Sequence, residues 1–348
     1  MRRTTLVCVL LLVGASCSSA TEGAGPREPI EIQDGITFTS GWRSEAFHGP
    51  DAVEAMTNLA DTGAGWVAIV FDWFQPRVAA TEIRPLVNKT PPDEDVVRMI
   101  RLAHDLGLKV MLKPHLDLVR KWWNRWKIGT AFGHDQAAWD AWFESYGAYV
   151  FHYAELAEAE GVEQFAVGTE LFSTSPQEER WREVIRGVRE RFSGTLTYAS
   201  LYTGEESSIA WWDAVDLIGV DAYWPLTDGN EPTLAELEDA WKPILQRMAD
   251  LSARWGDKPI LFTEIGYVSL DGANANPWDP YPRGRPLDLQ EQADCYRAAL
   301  ESAWDEPWFA GMYWWDWSAD PTVGGSKDGG FSPFGKPAEG VLRAWYQG

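Results

Sequence analysis

The chain has 348 residues, 45% of them hydrophobic, and a formal net charge of −22 at pH 7. This length is sufficient for one large buried core. The negative charge argues against a nucleic-acid partner, because binding a polyanion requires clustered Lys and Arg side chains. Tryptophan is unusually abundant, at 21 residues. Because indole rings both fill cores and stack on flat apolar groups, we expect most to be buried and roughly a quarter to line a cleft.

The first 17 residues resemble an export signal. A basic start is followed by an apolar run over 6–13, which is too short to span a bilayer as a mature helix. The sequence Gly14-Ala15-Ser16-Cys17 resembles a bacterial lipobox, with Gly in the place usually held by Leu. We therefore predict a signal over 1–17 and export as a lipoprotein anchored through Cys17 to an outer or cytoplasmic membrane surface. Plain secretion is the alternative. Residues 18–34, rich in Ser, Gly, Glu and Pro, predict a flexible tether.

From residue 35 onward, short apolar runs alternate with amphipathic segments. The predicted units, each a strand followed by a helix, are 35–42 and 51–62, 65–73 and 93–106, 109–115 and 135–160, 163–170 and 177–192, 195–200 and 207–214, 217–223 and 233–255, 259–264 and 289–304, and 310–317 and 338–346. Near-continuous apolar strands are typical of a parallel sheet that is covered on both faces. Eight such units predict an α/β fold, a (β/α)8 TIM barrel, as a single domain over 35–348.

Polar and aromatic side chains collect at the carboxyl ends of the predicted strands. That end of a parallel barrel carries the active site in this fold class, so these side chains are candidate ligand-binding groups. The candidates are Trp42, Asp72, Trp73, His115, Thr169, Tyr198, Asp221, Tyr223, Trp224, Trp315 and Asp316. Each has a structural alternative; Asp221, for example, is equally suited to pairing with Lys113 in the barrel wall.

Two glutamates have the most informative positions. Glu170 ends the fourth predicted strand and Glu264 ends the seventh. A single Glu at a strand end is usually a salt-bridged rim residue, but two on one barrel face suggest a pair across a site. Two facing carboxyl groups are the catalytic groups of most glycoside hydrolases.

Four segments extend this interpretation to a family. They are AVGTEL around Glu170, TEIGY around Glu264, GVDAYWP at 219–225 and YWWDW at 313–317. Together they resemble glycoside hydrolase family 113, the β-mannanase-like members of the clan A retaining glycosidases. The resemblance implies a general acid/base at Glu170, a nucleophile at Glu264 and an endo-β-1,4-mannanase activity. It departs from the clan pattern at Thr169, where many members carry Asn.

The resemblance implies a β-linked polysaccharide or oligosaccharide as the substrate. Another β-linked glycan, of the glucan or chitosan type, is the first alternative, and a non-catalytic carbohydrate-binding surface lipoprotein is the second. The five histidines show no metal-ligand spacing, and phosphate-loop and Gly-x-Ser-x-Gly motifs are absent. We therefore expect no metal and no cofactor, and a monomer.

Overall fold

The structure is a computed structural model that describes residues 31–120, 122–279 and 284–348. The predicted signal with Cys17, and the predicted tether up to residue 30, lie outside the described residues. Eight parallel strands close into one barrel, and each strand pairs with its neighbours in sequence order. The predicted (β/α)8 barrel is therefore confirmed.

The elements alternate along the chain as predicted. The strands are β1 (Gln33–Thr39), β2 (Trp66–Gln75), β3 (Lys109–Leu118), β4 (Gln164–Thr169), β5 (Thr195–Leu201), β6 (Leu217–Asp221), β7 (Ile260–Ile265) and β8 (Phe309–Ser318). The helices are α1 (Pro50–Ala60), α2 (Asp93–Asp105), α3 (Gln136–Ala159), α4 (Glu178–Arg189), α5 (Glu205–Ser208), α6 (Leu234–Arg254), α7 (Leu289–Ala303) and α8 (Pro337–Tyr346). Two 3-10 helices span Trp122–Lys127 and Trp212–Ala214.

Local signals explain where several helices form. In α2, the buried side chains of Val96, Met99, Ile100 and Ala103 recur at helical spacing, so one face packs against the barrel. Helix α6 begins with a capping box in which Thr233 and Glu236 bond each other's backbone N–H groups. The helices surround strands whose residues are almost all buried, so the main core lies between the barrel and its helices.

Several boundaries shift by a few residues from the sequence predictions, and two of the differences change the interpretation. Strand β1 begins at Gln33, inside the predicted tether, because Gln33 pairs with Gly311 of β8 and its side-chain amide donates to Gln164. The helix predicted over 207–214 is instead the four-residue α5 followed by a 3-10 turn. The apolar residues of this segment point into the core from an irregular backbone, since Trp211 and Trp212 are both fully buried.

In the described part of the chain, no helix has both the length and the apolar character that crossing a membrane requires.

A substitution at Gly311 tests the barrel closure. Gly311 has φ of +125°, and a Cβ there would lie 2.2 Å from the carbonyl oxygen of Gln33, where β8 meets β1. We expect Gly311→Ala to lower the free energy of unfolding by about 3 kcal/mol, since it adds both backbone strain and overpacking.

The matched control is Gly340→Ala in α8, where a Cβ meets no atom within 4 Å. It should stabilise the protein by about 0.5–1 kcal/mol, because Ala is the better helix former. Urea unfolding of both variants makes the measurement, and equal effects at the two sites would contradict the close β1–β8 approach.

Candidate active site

A cavity of about 340 Å³ opens at the carboxyl end of the barrel. Strand ends and the residues that follow them supply its walls, as the fold class requires. Eight of the predicted site residues line it: Trp42, Asp72, His115, Glu170, Tyr223, Glu264, Trp315 and Asp316. The structure therefore brings the two glutamates into one cavity with six of the aromatic and polar candidates.

The backbone at Glu170 is held in an uncommon conformation. Glu170 follows β4 directly and has φ of +53°, a left-handed geometry that costs a non-glycine residue free energy. Its backbone N–H donates to the carbonyl of Ala199 at 2.8 Å, and the next N–H, of Leu171, donates to the hydroxyl of Tyr198 at 2.9 Å. These two bonds to β5 hold the turn that presents the Glu170 side chain to the cavity.

Each carboxyl oxygen of Glu264 accepts a hydrogen bond. The ammonium group of Lys113, fully buried inside the barrel, donates to Oε1 at 2.5 Å. The Tyr223 hydroxyl donates to Oε2 at 2.9 Å. A cation and a phenol in direct contact favour the charged carboxylate, because charge-assisted hydrogen bonds stabilise it.

Glu170 has a different environment. Burial in the cavity raises the pKa of Glu170 to about 7; the Arg125 guanidinium opposes this rise, and the nearby Glu264 carboxylate adds to it. The contact with Arg125 is an ion pair of 3.8 Å between Nε and Oε2, longer than a hydrogen bond. One carboxyl is therefore stabilised as an anion, while the other keeps its proton up to neutral pH.

His115 is neutral and its tautomer follows from its partner. Arg125 contacts Nδ1 of His115 at 3.0 Å; since guanidinium can only donate, Nδ1 accepts and the ring proton is on Nε2. That Nε2 lies 3.6 Å from Oε1 of Glu264. Burial lowers the pKa of His115 well below its usual range, and the Arg125 and Lys113 charges lower it further. The imidazole is also stacked parallel to Trp315, with ring centroids 5.9 Å apart.

A second pair of carboxyls lies beside Arg125. Asp117 accepts from the indole N–H of Trp42 at 2.7 Å and contacts the guanidinium of Arg125 at 3.0 Å. Burial raises the pKa of Asp72 well above its usual range, and the adjacent Asp117 raises it further. A side-chain hydrogen bond to Asp117 adds to this rise, and Asp72 lines the cavity as a hydrogen-bonding group.

Asp316 lies on the wall that β8 and β1 form together. Its Oδ2 accepts from the Thr39 hydroxyl at 2.8 Å, and burial raises its pKa to about 6. Trp315, next to it, is partly exposed to the cavity. An indole face beside polar oxygens suits a ring with one apolar side and several hydroxyls.

Three predicted contact residues lie elsewhere, which corrects the prediction. Trp73, Tyr198 and Trp224 point to the helix side of the barrel, because successive strand residues alternate between the two sides. Trp73 stacks on Tyr149 of α3, with centroids 4.9 Å apart. Trp224 is 4% exposed and packs edge-on against Trp241 of α6.

Tyr198 supports the site from behind. Its hydroxyl donates to the buried Glu205 at 2.6 Å while it accepts from the N–H of Leu171. Tyr198 is fully buried, so it contacts no ligand in the cavity. Its role is to hold the turn at Glu170.

Thr169 and Asp221 also lie below the cavity surface. Asp221 is fully buried and accepts from the Thr263 hydroxyl at 2.7 Å, with the Lys113 ammonium 3.5 Å away. Asp221 therefore pairs with Lys113 inside the barrel, which is the structural role considered for it as an alternative to ligand binding. Thr169 is 2% exposed and does not line the cavity. The clan position normally held by Asn is therefore closed to a ligand in this structure.

Sequence reasoning missed Arg125 as a site residue and left Lys113 as a structural candidate. Lys113, His115 and Asp117 occupy alternate positions of β3 and therefore point to the same side of the strand. The predicted site residue His115 thus indicates that Lys113 and Asp117 also face the barrel interior. Arg125 lies in the 3-10 helix after β3, where no periodicity points inward. Among the described side chains, three tryptophans line the cavity, namely Trp42, Trp278 and Trp315.

One group of carboxylates away from the cavity has oxygen atoms close enough to share a cation. Asp271, Asp288 and Glu291 lie with ligand atoms within 4.8 Å of one another. Glu291 accepts from the backbone of Gly272 and Asn274, and Asp288 caps α7. These bonds already account for the cluster as a loop anchor.

Comparison with known proteins identifies a family and solved structures that resemble this chain. The sequence matches Glycoside Hydrolase Family 113 over residues 36–336. A complex structure of a GH113 β-1,4-mannanase is 31% identical with a TM-score of 0.82, covering 91% of this chain and 99% of that one. The GH113 β-mannanase AaManA from Alicyclobacillus acidocaldarius, in complex with ManMIm, is 33% identical with a TM-score of 0.81, covering 91% and 98%.

A more distant structure shares the fold alone. The β-glucuronidase of Ruminococcus gnavus is 13% identical with a TM-score of 0.62, and the alignment covers 91% of this chain and 50% of that one. Comparison with curated proteins found no match.

Proposed function

Because the chain belongs to glycoside hydrolase family 113, we propose that this glycoside hydrolase is an endo-β-1,4-mannanase with a retaining, double-displacement mechanism. Glu170 is the general acid/base and Glu264 the nucleophile. The single observation that carries these roles is the unequal environment of the two carboxyls: Lys113 and Tyr223 stabilise Glu264 as an anion, whereas the pKa of Glu170 is raised to about 7.

The first step forms a covalent intermediate. A carboxylate oxygen of Glu264 attacks the anomeric carbon, the glycosidic C–O bond breaks, and the proton of Glu170 passes to the departing oxygen. Lys113 and Tyr223 keep Glu264 ionised and oriented before the attack. Since Glu170 must carry its proton, this step slows as the pH rises above about 7.

The second step releases the sugar with its original configuration. Glu170, now ionised, takes a proton from water, whose oxygen bonds to the anomeric carbon as the ester bond to Glu264 breaks. The charge of Glu264 is absent while it is esterified, so Glu170 is the stronger acid in the intermediate and accepts the proton less tightly than in the free enzyme. After this step Glu264 is a free carboxylate and Glu170 is protonated, as both were before the first step.

The cavity wall supports a neutral glycan as substrate. The parallel stack of Trp315 on His115 offers an aromatic platform, and Asp72 and Asp316 offer hydrogen-bonding groups to sugar hydroxyls. Mannan is the first choice because the two GH113 structures described above, at 31% and 33% identity, are β-mannanases. A glucan or chitosan-type chain is the alternative within the same chemistry.

A substrate panel tests the activity. The wild-type protein should release reducing ends from mannan and glucomannan at least tenfold faster than from cellulose, xylan and chitosan. The early products from mannan should be mixed oligosaccharides, as an endo enzyme gives. Preference for another glycan would replace mannan as the substrate, and inactivity on all of them, with binding retained, would favour the carbohydrate-binding alternative.

The nucleophile is tested with Glu264→Ala. This variant should lose turnover without unfolding, because the attacking oxygen is gone. Azide should restore activity with an activated aryl glycoside and give a glycosyl azide of inverted configuration, since the small anion enters from the side of the missing carboxylate. Product analysis by NMR makes the measurement, with circular dichroism as the folding check.

The matched variant is Glu170→Ala. Its hydrolysis of mannan should fall about 10²–10⁴-fold, the usual contribution of a general acid. With the activated substrate, azide should intercept its covalent intermediate and give a product of retained configuration. If the two variants gave azides of the same configuration, the role assignment would be wrong.

We also propose that the protein is exported and anchored as a monomeric lipoprotein through Cys17. The apolar run over 6–13 and the lipobox-like Gly14–Cys17 support this proposal. A diacylglyceryl group on the Cys17 sulfur carries two acyl chains, the number that stable anchoring at a membrane surface requires.

Substitution of Cys17 tests the anchor. When the full chain is expressed in a bacterial host, the wild type should partition into the membrane and detergent phases and incorporate labelled palmitate. Cys17→Ser should lose the label and accumulate as an uncleaved precursor. Unlabelled wild-type protein in the medium would indicate plain secretion instead.

A further inference from the structure

Arg125 connects three parts of the site. It lies in the 3-10 helix after β3, and its side chain is 8% exposed. The guanidinium contacts Asp117 at 3.0 Å, the Nδ1 of His115 at 3.0 Å and Glu170 at 3.8 Å. One cation from a long loop therefore reaches the acid/base and two residues of the neighbouring strand.

The two buried cations of the site have separate partners. Lys113 contacts the nucleophile and Asp221, at 2.5 Å and 3.5 Å. Arg125 contacts the acid/base and Asp117. Lys113 also lowers the pKa of Glu170, but less than Arg125 does and without contacting it. Among the described residues, the other ionisable groups that act on Glu170 are Glu264, Glu205, Tyr202 and Tyr223, while the neutral His115 contributes no charge.

We propose that Arg125 is a positioning residue that allows Glu170 to act both as acid and as base, by limiting how tightly this carboxyl holds its proton. The inference rests on the proposed function and deepens it. Between the two steps Glu170 is an anion in a cavity that disfavours charge, and the guanidinium is the permanent cation beside it. Because Arg stays protonated at every working pH, it stabilises that anion without titrating.

The proton balance requires such a group. In the first step Glu170 gives its proton to the glycosidic oxygen; in the second it takes one from water and returns to its starting state. Without Arg125, burial and the Glu264 carboxylate would both favour the protonated form of Glu170. Release of this proton to the glycosidic oxygen would then be the less favourable of the two proton transfers. An ion pair with Asp117 and a hydrogen bond to His115 keep the guanidinium in place for both steps.

Titration of Glu170 tests the proposal without any substrate. In protein labelled with ¹³C at the Glu side-chain carboxyl, the Glu170 resonance is identified by its absence from Glu170→Gln. The midpoint in Arg125→Gln should rise by about one pH unit or more, because removing an opposite charge at this distance favours the neutral acid. Arg125→Lys, which keeps a charge, should move the midpoint back toward the wild-type value.

The control is Arg101→Gln, which removes one positive charge from an exposed pair with Glu160, where the Arg side chain is 67% exposed. Its midpoint should equal that of the wild type, since an exposed distant charge is screened. Should Arg125→Gln fail to fold, Arg125→Met, whose apolar chain preserves the packing, enters the same titration. A midpoint that does not rise in the neutral variant overturns the proposal.

Kinetics give the second readout. For Arg125→Gln, the alkaline limb of kcat/KM on mannan should move up with the Glu170 midpoint. With an activated aryl mannoside, which needs no acid, the acidic limb of kcat should also move up, because the base is ionised only at higher pH. A purely structural role for Arg125 would lower both rates equally at every pH, and this result contradicts the proposal. Wild-type inactivity on every glycan would instead contradict the proposed function, while the titration still decides the role of Arg125.

Discussion

The buried contact between Lys113 and Glu264 is the interaction on which the site depends. Removing a carboxylate from water costs several kcal/mol unless a cation and hydrogen bonds replace the lost hydration. Lys113, fully buried within the barrel, supplies that cation, and Tyr223 supplies the second hydrogen bond. Both partners favour the charged form of the Glu264 carboxyl inside a closed fold. The proton of the pair is left to Glu170, because two adjacent carboxyls resist simultaneous ionisation.

The barrel makes this arrangement possible through its alternation. Lys113, His115 and Asp117 occupy every second position of β3, so one strand supplies a cation, an imidazole and a carboxylate to the same interior. The intervening residues contribute to the layer between barrel and helices. In β2 the same rule separates Asp72, which lines the cavity, from Trp73, which stacks on α3. Support of the site and stability of the fold thus come from opposite faces of the same strands.

Positions behind the cavity wall are as specific as those within it. Tyr198 bonds the N–H that follows Glu170, and the buried Glu205 in turn accepts from Tyr198. Burial raises the pKa of Glu205 to about 8, while hydrogen bonds from Leu201 and Tyr198 oppose this rise. A carboxyl group, a phenol and a backbone amide together hold the strained turn that presents the Glu170 side chain. These hydrogen bonds explain why Tyr198, an aromatic residue of β5 that does not line the cavity, is buried behind the site.

Much of the fold and part of the site followed from local patterns. Eight apolar runs alternating with amphipathic helices predict the barrel, since each run buries both faces and each helix buries one. The positions of Glu170 and Glu264 at the ends of the fourth and seventh runs predict a shared cavity, because parallel strands end on one face. Trp224 could not be placed in this way: at a strand end a one-residue uncertainty in register exchanges the cavity side for the helix side.

The sequence by itself determined the fold class, the strand count and the two glutamates, all of which depend on periodicity and chain order. Only the tertiary structure decided which carboxyl keeps the proton. That property depends on two contacts, one between Lys113 and Glu264 and one between Arg125 and Glu170. Lys113 and Glu264 are 151 residues apart in the sequence, and Arg125 lies in the 3-10 helix after β3. Electrostatic interactions depend on the distance between charges in space, and the order of residues along the chain does not give that distance.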